Sequence, residues 1–133
     1  MRFCDIIGQE EVKRQLRQAV RDGRIAHAQL FAGPQGVGKL ALALAYAQYV
    51  ACPNRTEHDS CGVCPTCVQF SKLQHPDLHF AFPIVKGDDG DVCDAFAEKW
   101  KGVVTEHKYF DLDDWYRAMG VETKQGMIYE KES

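Results

Sequence analysis

No apolar run in this 133-residue chain approaches the ~20 residues that cross a bilayer as a helix, which excludes a membrane-spanning helix. Met1 to Gly8 lacks a charged leader followed by an apolar core, so the protein is expected to stay in the cytoplasm. Low-complexity tracts are missing. So is a basic surplus: the formal net charge is −3, and phosphate contacts need clustered Lys and Arg. Nucleic-acid binding by bulk electrostatics therefore has little support, and any role on DNA is expected to run through partners. What is there, 45% hydrophobic and 26% charged residues, suits one soluble domain with a real core.

Six cysteines are present, and four of them, Cys52, Cys61, Cys64 and Cys67, follow the spacing C-x8-C-x2-C-x2-C. Thiolates separated by two residues turn back onto one tetrahedral ion, and Cys52 closes the fourth corner, so a structural zinc site with no open position is expected over residues 52–67. Four thiolates around one divalent ion add a further −2 and take the formal charge to −5. Cys4 and Cys93 stand alone and read as small apolar residues, while His58 and His75 are alternative ligands kept outside the shell. A secreted disulfide scaffold fits this clustering less well than a reducing compartment.

The apolar pattern predicts a helix over Gln9–Asp22, with Val12, Leu16, Ala19 and Val20 inward, Gly23 as its cap, and Lys13, Arg14, Arg17 and Arg21 on a solvated basic face. Ala28–Ala32 reads as a buried strand of a parallel sheet. A covered helix follows over Gly38–Val50, rich in Ala and Leu and stopped by Pro53. A short helix is expected over Thr66–Lys72, and the alternation of Leu78, Phe80 and Phe82 with His79 and Ala81 predicts a second strand. Lys86–Asp91 reads as an acidic loop. Two helices then carry Phe96, Trp100, Val103 and Val104, and Leu112, Trp115, Tyr116 and Met119, the second capped by Asp111 and ended by Gly120. Met127–Tyr129 begins a further element. The fold class is α/β.

Gly33-Pro34-Gln35-Gly36-Val37-Gly38-Lys39 fits G-x-x-x-x-G-K, a loop whose amides and lysine cradle phosphates between a strand and a helix. The next residue should carry a hydroxyl for Mg²⁺, and here it is Leu40. Two readings stay open for Gly33 to Leu40: a nucleotide site, with ATP itself in doubt, or a tight strand-to-helix turn. No apolar strand ends in Asp-Glu, so the acidic pair that holds Mg²⁺ and positions water is missing, and no catalytic activity is expected of this chain.

From about Ile6 to Phe82, the chain resembles the N-terminal AAA+ domain of the bacterial DNA polymerase III clamp loader. The residues that carry this are Ile7-Gly8-Gln9, His27-Ala28-Gln29-Leu30-Phe31, Gly33 to Lys39, the four cysteines directly after the loop's helix, and His75-Pro76-Asp77. Leu40 makes it look more like the delta-prime subunit, a stator with a degraded loop, than the gamma/tau motor, which has Thr there. The resemblance implies a P-loop NTPase core with a parallel sheet, and a DNA replication role within a polymerase holoenzyme. Its implied partners are gamma/tau and delta, with the sliding clamp and primed DNA reached through the complex. The alternatives are an ATP-driven gamma/tau-like motor and a zinc interaction module unrelated to replication. On this reading residues 1–133 are the N-terminal part of an AAA+ domain with a helical insertion at about 85–125. The Walker B strand, sensor and arginine-finger residues are expected past Ser133.

Overall fold

The computed structural model describes residues 1–84, 93–107 and 110–120. The chain divides into two compact units, Met1–His75 and the remainder from Pro76.

In the first unit a short 3-10 turn, Phe3–Asp5, precedes α1, Glu10–Arg21, which opens on Gln9 in the left-handed region (φ 58). Glu10 and Glu11 lie in its first turn and Arg21 in its last, each sign matching the helix dipole. The buried face consists of Lys13, Leu16 and Val20. This corrects the expected stripe: Val12 is 36% exposed, whereas Lys13 is only 3% exposed. Residues 3–6 cross that face and leave the Ile6 carbonyl in need of a donor. Lys13 lays its aliphatic stem against the core and donates from Nζ to that oxygen (2.6 Å) and to Glu10 (3.1 Å). Of the expected basic face, Arg14 is exposed and paired with Glu11. Arg17 lies over the Phe3 ring at 5.8 Å and donates to the His58 carbonyl.

α2 spans Lys39–Ala51 and none of its residues is exposed, as its Ala and Leu content predicts. It packs with α1 and the Phe3–Asp5 turn around a core of Phe3, Ile6, Leu16, Val20, Ala41, Leu42, Ala45 and Tyr49. Phe3 and Tyr49 meet with ring centres 5.4 Å apart. Each large apolar side chain covered in this way contributes about 1.5–3 kcal/mol of burial. Cys52 ends α2 in an extended conformation, and after the loop that follows, α3 runs over Pro65–Ser71.

The expected parallel sheet does not appear among the described residues. Ala28–Ala32 is irregular, and Leu30 is 85% exposed. A strand of this kind obtains its hydrogen bonds and its burial from neighbours, and the described residues offer it none. Leu78–Phe82 also forms no ladder, yet its side chains still alternate: Leu78, Phe80 and Phe82 turn inward, His79 and Ala81 outward. The period-two reading was right about the faces, while the pairing it implies is not seen among the described residues.

In the second unit, α4 (Ala97–Glu106) follows a 3-10 turn, Cys93–Phe96, and α5 covers Leu112–Met119. Asp111 and Asp114 form a reciprocal capping box, and Gly120 (φ 76) closes the helix. Trp100 stacks on Phe82 at 4.5 Å and 5°, and Trp115 stands edge-on to both at 5.1 Å. The Trp115 indole N–H donates to the Pro83 carbonyl (2.6 Å), whereas the buried Trp100 N–H has no partner among the described residues. Of the expected second stripe only Trp115 is buried, and Leu112 is exposed. The acidic loop Lys86–Asp91 and the element at Met127–Tyr129 lie outside the described residues.

Candidate functional site

Three elements deliver the four cysteines to one point. Cys52 caps the C-terminus of α2, where Pro53 prevents another turn. Cys61 lies in a knuckle turned by Gly62 (φ 77), Cys64 caps α3, and Cys67 sits in the first turn of that helix. The sulfurs lie within 4.8 Å of one another, with Cys52–Cys61 at 3.6 Å, Cys52–Cys64 at 4.0 Å and Cys61–Cys67 at 3.8 Å. Metal–sulfur bonds of about 2.3 Å in a tetrahedron require sulfur–sulfur edges of about 3.8 Å, so this quartet fits one tetrahedral ion and can hold a metal.

Backbone amides aim at the sulfurs, among them those from Cys61 to Cys52 Sγ (3.4 Å), Cys64 to Cys61 Sγ (3.3 Å) and Cys67 to Cys64 Sγ (3.4 Å). Amides of Val63 and Cys64 pull the Cys61 thiol down to about 6. The Cys67 amide also pulls on Cys64, but burial and the neighbouring thiols outweigh it and the net direction is up; burial likewise raises Cys67. A cation is held by thiolates, so its uptake at this quartet would release protons. Cys52, Cys64 and Cys67 form a small buried core of their own, which without an ion is thin for a module of this size. Neither His58 nor His75 joins the quartet: the His58 carbonyl receives Arg17, and His75 packs on Phe70 at 4.7 Å. Cys4 is exposed, and the buried Cys93 donates its S–H to the Phe82 carbonyl.

The polar residues that hold the knuckle escaped the sequence reading. Asp59, 8% exposed, accepts from the backbone amides of Phe3 (3.0 Å), Cys4 (3.0 Å) and Ser60 (2.9 Å). Arg2 donates from two nitrogens to the Ser60 carbonyl (3.0 and 2.9 Å), and Gln48 of α2 donates to the Ser60 hydroxyl. Asp59 and Ser60 stood in an anonymous polar loop, and a partner more than fifty residues away leaves no local signature.

The glycine-rich loop lies at the opposite end of α2. Gly36 (φ 83) and Gly38 (φ 85) adopt the left-handed conformation, and Lys39 folds back to donate from Nζ to the Gly33 carbonyl at 2.7 Å. No side chain caps α2, which leaves its first-turn amides open towards the loop. Beside the loop a groove of about 580 Å³ is lined by Gln9, Val12, Leu30, Phe31, Pro34 and Lys39 among others, with no carboxylate among its lining residues. Leu40 is half-buried and brings no hydroxyl.

Residues 8–126 match the family described as DNA polymerase III, delta subunit. The chain belongs to that family. Among its relatives, DNA polymerase III subunit gamma/tau of Mycobacterium bovis is 41% identical over 69 residues, covering 52% of this chain. DNA polymerase III subunit tau of Escherichia coli is 38% identical over 76 residues, or 57% of this chain. Protein STICHEL-like 1 of Arabidopsis thaliana is 38% identical over 79 residues, or 59% of the chain. The matched stretch covers 12% of each of the two polymerase subunits and 7% of the plant protein. No solved structure matches the chain.

Proposed function

We propose that this chain serves DNA replication as part of a clamp-loader subunit, delta-prime-like, that helps place the sliding clamp of DNA polymerase III on primed DNA. The observation that carries this reading is the sulfur quartet at one end of α2, with the glycine-rich loop at the other, inside the family match over residues 8–126. The ion is zinc and its role is structural, since four sulfurs leave no coordination position for a substrate or water. Gly33 to Leu40 is a vestigial nucleotide cradle. Lys39 is drawn back onto Gly33, and Leu40 provides nothing for Mg²⁺, so the subunit acts as a scaffold in the cytoplasm through contacts with gamma/tau and delta.

A second reading has a specific observation behind it: the relatives named above from the two bacteria are gamma/tau and tau subunits. Nucleotide titration separates the two. The scaffold reading expects weak binding indifferent to Mg²⁺, strengthened by Leu40→Thr, and no phosphate release that Lys39→Ala abolishes. Tight Mg²⁺-dependent ATP binding with turnover would establish the motor instead. Co-purification with the other loader subunits tests the replication role itself, and its absence would leave a zinc interaction module.

A further inference from the structure

We infer that Arg2 and Asp59 form a clasp that positions the metal knuckle and ties its occupancy to the N-terminal segment; this rests on the metal reading of the four cysteines. The clasp works in both directions. The Asp59 carboxylate receives the amides of Phe3 and Cys4, which open the Phe3–Asp5 turn, and the amide of Ser60, which leads into Cys61. Arg2 reaches back across 58 residues to grip the Ser60 carbonyl with two donors, and stands 3.9 Å from Asp59. Its side chain also lies over Gly62, where an added Cβ would come within 3.0 Å of Arg2 Cδ. Gly62 therefore serves a positive φ and a close approach together.

Ser60 is 1% exposed and adjoins Cys61, so displacing it moves a ligand sulfur. Neither residue touches the ion. They are positioning residues, of the kind whose loss commonly lowers metal affinity 10–100-fold. Linkage requires the reverse effect as well: what holds the knuckle for the ion is itself held when the ion is bound.

The test uses the zinc-loaded chain and three variants, Asp59→Asn, Arg2→Ala and Lys13→Met, with zinc transfer to a chelating dye and amide hydrogen exchange as readouts. Asn at 59 keeps the size but offers one acceptor oxygen for three amides. Lys13→Met removes a buried hydrogen bond of the same unit without touching the knuckle. The expected result is zinc release about 10-fold faster in Asp59→Asn and Arg2→Ala, near wild type in Lys13→Met, and loss of protection at the Phe3 and Cys4 amides when wild type is stripped of zinc. Wild-type release rates in both clasp variants, equal acceleration by Lys13→Met, or unchanged Phe3 and Cys4 exchange after chelation would each overturn the inference. A wild-type chain that takes up no zinc is a different failure, that of the metal reading itself.

Discussion

Lys13 and the two tryptophans set the residue scale. A lysine on an amphipathic helix is placed by pattern with the charged face, yet this one is buried because its stem suits the core and its ammonium meets a carbonyl stranded by the crossing chain. Lys13→Ala is expected to destabilise the zinc-loaded protein by about 1–3 kcal/mol in urea unfolding, since it removes packing and leaves the Ile6 oxygen unpaired. The tryptophans form a paired comparison. Trp115 is fully buried and its N–H meets Pro83, whereas the Trp100 N–H meets no acceptor among the described residues. Replacing each by Phe removes similar ring area, so Trp115→Phe is expected to destabilise by about 1 kcal/mol or more beyond Trp100→Phe, measured by thermal unfolding. Equal losses would mean the indole hydrogen bond contributes nothing.

At the scale of elements, α2 joins the loop to the cysteine knuckle, and both of its ends are set by residues visible in the sequence. Gly38 adopts φ 85 before the first turn, and Pro53 follows Cys52. The expected Gly38–Val50 helix is accordingly within a residue of the observed Lys39–Ala51, and the Asp111 cap with its Gly120 stop appears where predicted. Capping is local chemistry. Asp111→Ala is expected to lower stability by about 1 kcal/mol, with the helical circular dichroism signal as the readout. The strands are a different case. Ala28–Ala32 and Leu78–Phe82 carry the composition and alternation of strands, but pairing is a property of two segments, and neither finds a partner among the described residues.

For the whole molecule, charge and metal decide. With formal charge −3 before any ion binds, the chain by itself is expected to show no duplex-DNA binding in fluorescence anisotropy at physiological salt, and salt-dependent binding would contradict a role that reaches DNA through partners. One zinc per chain is expected by elemental analysis, and Cys64→Ser is expected to remove it. Chelation should loosen mainly residues 52–67, because there the ion substitutes for an apolar core. A folded knuckle in zinc-free protein would sink this reading. Among the described residues no helix is long and apolar enough to cross a membrane.

The cysteine quartet, the glycine-rich turn and the helix ends were legible from the amino acids because each depends on spacing within a few residues: two intervening positions between thiols, a left-handed glycine before a helix, a proline after it. The tertiary structure alone decided that Lys13 faces inward, that Asp59 and Arg2 join the knuckle to the N-terminal segment, and that two strand-like segments find no pairing partner among the described residues. Those outcomes depend on which distant backbone groups come near enough to need a hydrogen-bond partner, and that distance is created by folding.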